Sequence, residues 1–552
     1  MIETVKIFFI KILKHVLRIF RRFIPAGLID SYEQYRKVYP LIDRSEVISI
    51  SSQRSASGNL DQEARAADLP LTEIKCSLIS TVRNEAGNVA EWMTSLLDQS
   101  RWPDEVVITE GGSNDTTLAI LRDLAKSFPI PIQIIEAPGA NISQGRNLAI
   151  QHAKHEIIAT TDFGCSLEKN WLRNLLQPFE TDGSFEVSAG YYQISGTSLF
   201  HQLSARLYGV HSEVADPQKF LPSSRSLAFK KTFFEKTGGY PEWLSDAGED
   251  TLWDYYAKSH PARWAFVSEA LVYWKPPDTV AKLIRSYFRY SRGDGEAGAS
   301  ADLYWYKTVE IFWVNFLRLI VIGAGLLLFW IVGPWAGYYW LAVILIAIFR
   351  FIQANLKESP PLGTFFFPYT VILELVGIVQ VIGYAAGVRN RSHLSTRKKG
   401  YHCNKFVEIL AEHPDRKGVI IYPPTHDWHF MAQRPHQIAR AFAKQGYLFF
   451  YCTHNERTDA VDGFQQVEPR LYLTHVDFDI FQELDRPIVY IGSPWNISYL
   501  SIFRDPIVIY DHYDDLVVSG GRQEDHLALL KQANLVLVTS HILMKAVQQN
   551  VA

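Results

Sequence analysis

Val106-Val107-Ile108-Thr109-Glu110-Gly111-Gly112-Ser113-Asn114-Asp115 decides how this 552-residue chain is read. A run of β-branched residues gives way to an acid, two glycines and three small polar residues, and Leu118, Ile120 and Leu121 follow at helical spacing. An apolar run stopped by turn chemistry and continued as a helix is one unit of a parallel sheet covered by helices. The same alternation extends outward on both sides. Cys76 to Val82 reads as a strand, and Val89, Trp92, Met93, Leu96 and Leu97 as a helix face; Ile132 to Glu136 and Glu156 to Thr161 read as two more strands. The expected fold class is therefore α/β, with a mainly parallel sheet.

Ligands of such sheets bind beyond the carboxyl ends of the strands. Arg83-Asn84-Glu85, Glu110 with its Gly-Gly-Ser-Asn-Asp loop, and Asp162 all fall there. The loop permits close backbone approach and supplies caps, so alone it is equally a well-made helix start. Asp162 alone is a turn or cap residue, or a carboxylate that holds Mg²⁺ or Mn²⁺ against a diphosphate. Further on, Glu249-Asp250 open a helical stretch from Thr251 to Ala257, where acids also suit the helix dipole. The order of these acids points to a site for a metal-bound, phosphorylated substrate.

Composition frames the rest. The formal net charge of -3 hides basic clusters in the first 25 residues and on both flanks of a very apolar region. That distribution suits a membrane surface and not a nucleic acid. Cys76, Cys165, Cys403 and Cys452 are too scattered for a disulfide framework or a zinc site, as expected of a reducing, cytoplasmic setting. Residues 1–25 read as a basic amphipathic helix in a membrane interface, since Lys11, Lys14, Arg18, Arg21 and Arg22 share one arc opposite Phe9, Ile12, Val16 and Phe20. Residues 26–74, polar and rich in small side chains from Gln53 to Ala67, read as a linker.

Within 309–390, segments 311–332, 335–351 and 365–388 are apolar enough to be membrane-embedded. Gly333-Pro334 leaves a tight hairpin between the first two. Lys282, Arg285, Arg289 and Arg292 precede the region, and Arg389, Arg391, Arg397, Lys398 and Lys399 follow it, which places both flanks in the cytoplasm. Three full crossings conflict with that, so 365–388, with Pro368, Glu374 and Gln380, is expected to be re-entrant or interfacial. A basic linker over 391–417 then leads to a second module, 418–552. Its strands Val419 to Tyr422, Leu448 to Cys452, Ile488 to Ile491, Ile507 to Tyr510 and Leu535 to Thr539, with a helix over Met431 to Lys444, form a Rossmann-like half.

Residues 75–298 resemble family 2 glycosyltransferases of the GT-A fold. The resemblance is carried by Ser80-Thr81-Val82-Arg83-Asn84-Glu85, Glu110 to Thr116, Gly145-Arg146-Asn147-Leu148-Ala149, Thr161-Asp162-Phe163-Gly164-Cys165, and Gly238-Gly239-Tyr240-Pro241 followed by Gly248-Glu249-Asp250. It implies that Thr81, Arg83, Glu85, Ser113 and Arg146 line a nucleotide-sugar pocket, with Glu110 at the base. Asp162 matches the first acid of the family's Asp-x-Asp metal motif and would hold a divalent cation, Mg²⁺ or Mn²⁺; Gly164 stands where the second acid belongs. Asp250 corresponds to the base that deprotonates the acceptor hydroxyl for inverting attack, with Glu249 shaping it. Arg289 and Arg292 are candidate diphosphate or acceptor contacts, or part of an amphipathic juxtamembrane helix. The second module resembles the N-terminal half of family 4, GT-B glycosyltransferases through Asp427-Trp428-His429-Phe430, Gln433-Arg434-Pro435, Tyr510 to Asp515 and Ala533 to Ser540.

The implied function is a membrane-associated inverting transferase that moves a sugar from a nucleotide sugar to a glycan or lipid-linked acceptor in cell-surface polysaccharide biosynthesis. Its expected location is a bacterial-type inner membrane, with soluble domains in the cytoplasm beside other polysaccharide-assembly proteins. The rival, motivated by Gly164, is a catalytically silent nucleotide-sugar-binding scaffold. A channel is disfavoured, because these segments offer little pore-lining chemistry.

Overall fold

The computed structural model describes residues 45–50, 74–196, 198–208, 216–357, 366–455, 458–459, 461–513 and 522–551. The basic helix expected over 1–25 lies outside them. The described chain divides into two compact units: one holds both α/β modules, and the other, built from 194–209 and 275–390, is helical.

In chain order the first module runs β1 (Glu46–Ile50), β2 (Cys76–Val82), α1 (Val89–Leu97), β3 (Glu105–Glu110), α2 (Thr117–Ala125), β4 (Ile132–Glu136), α3 (Ile142–His152), β5 (Ile157–Thr160), β6 (Cys165–Leu167), α4 (Trp171–Thr181) and β7 (Phe185–Ile194). After α5 (Leu199–Tyr208), which belongs to the helical unit, come β8 (Leu227–Lys230), α6 (Lys231–Lys236), α7 (Glu249–Lys258) and β9 (Arg263–Trp274). The sheet order is β1-β9-β7-β8-β5-β2-β3-β4, with β6 paired to β9. The block β5-β2-β3-β4 is parallel, but β8 runs antiparallel to both β5 and β7, so the sheet is mixed.

Period-two alternation builds the two faces of this sheet. Leu78, Val82, Val106 and Ile108 are buried with Trp92 and Trp171, while Ile79, Val107 and Ile158 are buried with Ala149, Phe234 and Trp253. At roughly 1.5–3 kcal/mol for each large apolar side chain removed from water, this is what fixes the strand ends on which the site is built. The linker reading of 26–74 needs one correction. Glu46–Ile50 is an edge strand parallel to β9, because Ile48 and Ile50 alternate onto the core.

The helical unit continues with α8 (Val280–Ala297), α9 (Ala301–Val332), a 3₁₀ turn (Gly333–Ala336), α10 (Gly337–Lys357) and the start of α11 (Phe366–Glu412). The chain doubles back at Gly333, whose φ of 58° suits glycine, and Tyr339 Oη donates to the Val321 carbonyl at 2.8 Å. Two helical runs, 301–350 and 369–412, are long and apolar enough to cross a membrane. Helix α11 is unbroken over 47 residues, so the 391–417 stretch is helical as far as Glu412 and is not a linker there. Helices α8 and α11 approach through glycines: a Cβ on Gly383 would meet the Phe288 carbonyl at 2.8 Å, and one on Gly387 would run into the Arg292 carbonyl. Gly383 and Gly387 are spaced as small residues are where helices cross closely.

The second module comprises β10 (Val419–Tyr422), α12 (Arg434–Lys444), β11 (Leu448–Cys452), β12 (Gly463–Glu468), β13 (Leu471–His475), β14 (Ile488–Ile491), β15 (Ile507–His512), α13 (Gln523–Gln532), β16 (Leu535–Val538) and α14 (His541–Val551). Its order is β12-β13-β11-β10-β14-β15-β16, parallel except for β12. The hairpin β12-β13 escaped the sequence reading because Pro469-Arg470 makes its turn, with Arg470 at φ 63° and no Gly or Asn as signal. Helix α12 starts at Arg434, later than expected, where Pro435 takes a first-turn position and Gln433 caps it.

Candidate active site

The carboxyl ends of β2 and β3 are laced into one platform. Asn84, at φ 57°, donates its amide to Ser113 Oγ at 2.9 Å and accepts the Asn114 amide on its own Oδ1 at 2.9 Å. The Glu85 amide donates to Thr117 Oγ1 at 2.8 Å, and Asp115 accepts the Thr117 amide at 2.9 Å. Glu110 is buried, and its carboxylate turns onto its own loop, accepting the amides of Gly112 at 3.1 Å and Ser113 at 2.5 Å. Arg83 is exposed beside Gly111, and Thr81 packs under Gly145. A Cβ on Gly145 would sit 2.8 Å from Thr81 Cγ2, so glycine is what lets α3 lie this close to β2.

Arg146 is the centre of the arrangement. Helix α3 is fixed by an Asn141-Gln144 capping box, and from it Arg146 reaches inward, 2 % exposed. One η nitrogen donates to Asp162 Oδ1 at 2.8 Å, the other to Glu249 Oε1 at 2.7 Å, and the guanidinium lies 5.5 Å from the centre of the Tyr240 ring. The acid at the end of β5 and the acid pair opening α7 are thus tied to one buried cation, although they are 87 residues apart in sequence (249 minus 162). Burial would lower the basicity of Arg146, but Asp162 and Glu249 raise it, so it stays charged.

The acids differ in their surroundings. Glu249 is pushed up to about 7 by burial and then by Asp250, against the pull of Arg146. Glu85 is raised by burial, with Asp162 and Asp115 adding to the shift and Asn88, 2.5 Å from its Oε2, opposing it. Asp250 lies in the first turn of α7, after Gly248 at φ 92°, and its Oδ1 accepts the Thr251 amide at 2.9 Å. One turn along α7, Asp254 is fully buried and neither carboxylate oxygen has a hydrogen-bond partner among the described residues. Burial, then Asp250, holds it well above the usual carboxylate range, against the opposing charge of Lys258.

Two of these neighbours were not evident in the sequence. Arg225 Nε stands 3.9 Å from Asp162 Oδ2, its guanidinium 4.5 Å from the Trp274 ring centre and 5.2 Å from that of Tyr192. Its position follows from the antiparallel β5-β8 pairing, which puts the start of β8 beside the end of β5. Asp254 had a weak signal, its i,i+4 spacing from Asp250. Arg289 and Arg292 lie on α8 in the helical unit, where Arg292 Nε donates to Glu296 at 3.0 Å and Arg289 stacks on Tyr290.

The metal expectation can be tested on these residues. Among the described residues no three His, Cys, Asp or Glu side chains cluster as a metal cage. Asp162 offers a carboxylate 27 % exposed, with Glu85 close enough to feel its charge. Gly164 leaves open space, since a Cβ there would meet Trp274 no closer than 3.8 Å. Such a site fits a hard cation that takes most of its ligands from water and a diphosphate.

Residues 77–237 match the model of glycosyl transferase family 2. Among curated proteins, the glycosyltransferase AglE of Haloferax volcanii is 22% identical over 223 residues, which is 39% of this chain and 72% of that protein. Among solved structures, S. aureus TarS gives a TM-score of 0.30 at 18% identity, covering 39% of this chain and 38% of that one. The mannosyltransferase PcManGT from Pyrobaculum calidifontis, solved with GDP-Man and Mn²⁺, gives 0.36 at 17% identity, covering 58% of this chain and 92% of that one. The family 2 match thus lies within the first module, over residues 77–237. The chain is a glycosyltransferase.

Proposed function

We propose that the first module is an inverting transferase that moves a sugar from a nucleotide-sugar donor to a glycan or lipid-linked acceptor, attached to a bacterial-type inner membrane and facing the cytoplasm. The observation that carries this reading is Arg146, which joins Asp162 at a strand end to Glu249 beside Asp250. Donor and acceptor chemistry then share one centre. Thr81, Arg83, Glu85, Glu110 and Ser113 frame the nucleotide; Glu110 acts through the loop amides it orders. Asp162 would hold a divalent cation, which would offset charge on the leaving diphosphate. Arg225 adds positive charge on the same flank. Asp250 takes the acceptor hydroxyl proton as the oxygen attacks the anomeric carbon from the face opposite the diphosphate. Glu249, fixed by Arg146, sets the pitch of the first turn of α7 from which Asp250 projects. The second module is read as a GT-B-like half, in a chain that acts in surface polysaccharide assembly.

The test is turnover of a nucleotide-sugar panel that includes GDP-mannose and UDP-glucose, with and without Mn²⁺, by wild type and Asp250→Asn. Removing the base is expected to lower turnover by about 10²–10⁴-fold while donor binding holds. If both proteins bind donor equally and neither turns it over, the chain is the silent scaffold instead.

A further inference from the structure

Among the described residues, the second module and the C-terminal part of α11 meet the first module on α6 and on two segments that flank Asp250. The C-terminal end of α7 is one of them. Tyr256 Oη donates to Asp462 Oδ2 at 2.6 Å, and His260 meets Gln465 on β12. The other is the loop from Gly238 to Trp243, where Arg397 donates to the Glu242 carbonyl at 3.1 Å and Lys398 Nζ lies 4.6 Å from the Trp243 ring centre. On its inner side the same loop is held by α3: Asn141 donates to the Glu242 carbonyl at 2.9 Å, and Asn147 to the Glu242 carboxylate at 2.8 Å.

Asp462 is the pivot of this contact. Its side chain is 10 % exposed and pairs with Lys398 Nζ at 2.5 Å, with His402 Nε2 at 3.6 Å. Burial alone would raise its proton affinity, but Lys398 and His402 bring it below the ordinary carboxylate value. It therefore offers Tyr256 an ionised acceptor, the stronger kind of hydrogen bond. Tyr256 lies six residues beyond Asp250 on one helix, about 9 Å of rise.

We propose that the second α/β module, with the C-terminal part of α11 that packs on it, is a positioning brace for the acceptor base: Asp462 through Tyr256, and Arg397 and Lys398 of α11 through the Glu242-Trp243 loop, fix where Asp250 stands against the donor side of the site. The inference rests on the transferase reading for the role of Asp250, but its mechanical part can be measured separately. The second module then has a function within the first module's reaction. Asp462 and Tyr256 touch no substrate; they act through α7.

The test uses the full-length chain in detergent, as wild type, Tyr256→Phe, Asp462→Asn and the double variant. Asp462→Asn keeps an acceptor oxygen for Tyr256 and loses the charge, so the fold is spared. Hydrogen exchange of residues 238–258 is read alongside turnover of GDP-mannose and UDP-glucose. The expected result is several-fold faster exchange confined to 238–258. Turnover should fall about tenfold, with donor KM within about twofold and a double variant no worse than the worse single one. Unchanged exchange in 238–258 overturns the brace, as does loss spread evenly over the first module or single effects that add. If exchange responds but wild type turns over neither donor, the brace stands and the transfer reading falls.

Discussion

Asp254 is a fully buried acid whose carboxylate oxygens have no hydrogen-bond partner among the described residues, and it makes a clear pH prediction. Its folded proton affinity is raised by burial and by Asp250, whereas unfolded it titrates near 3.9. A raised carboxyl leaves stability intact below the unfolded value and withdraws it as pH climbs toward the folded one. Asp254→Asn removes that dependence. At pH 4 the variant should melt with wild type, and by neutral pH it should melt about 2–4 °C higher, the shift that 1 kcal/mol makes in a domain of this size. Differential scanning at the two pH values decides it. A second prediction concerns Gly164, which faces Trp274 with room for a side chain. Gly164→Asp supplies a second carboxylate near Asp162 and should lower the Mn²⁺ concentration for half-maximal turnover about tenfold, the effect of roughly 1.4 kcal/mol. A titration that does not move would mean that the cation does not sit beside Asp162.

Elements show which parts of the fold the sequence discloses. Hydrophobic runs bounded by turn residues located β2 to β5 and most of the second sheet, because burial writes its period directly into residue type. Five motifs at strand and helix ends put Asp162, Arg146, Glu249 and Asp250 on one list of candidates; in the structure Arg146 pairs with Asp162 and with Glu249, next to Asp250 in α7. What the sequence hides is anything created by pairing direction. Arg225 becomes a neighbour of Asp162 through the antiparallel β8, and β1 is a strand because β9 offers it an edge. The glycines between α8 and α11 belong to the same class, since their spacing is visible but their partner is not. Gly387→Val would drive a side chain into the Arg292 carbonyl, backbone that cannot yield cheaply. A loss of about 1–3 kcal/mol is expected. It should appear as a lower melting temperature in detergent and faster tryptic cleavage at Arg289 and Arg292.

At the scale of the molecule, apolar side chains that are buried in the α/β unit are turned outward in the helical one. Trp330 is 85 % exposed, Leu319 67 % and Leu326 63 %, on a helix otherwise poor in charge. Water tolerates such a surface poorly, and a contiguous apolar patch of this kind marks a membrane or protein contact. The chain should sediment with membranes, resist extraction by high salt or carbonate, and be released by detergent. Release by salt alone would make the attachment peripheral.

The contact between Tyr256 and Asp462 closes over 206 residues of sequence. At the usual 5–20 residues per second of synthesis, the helix that carries Asp250 and Tyr256 waits about 10–40 s for Asp462 to be made. Apolar helices α9 to α11 emerge during that interval. The first sheet can assemble early from neighbouring strands, but its reactive edge is finished last. A ribosome halted before residue 462 would release a first module whose α7 lacks this hydrogen bond, so the timing of synthesis sets when that contact can form.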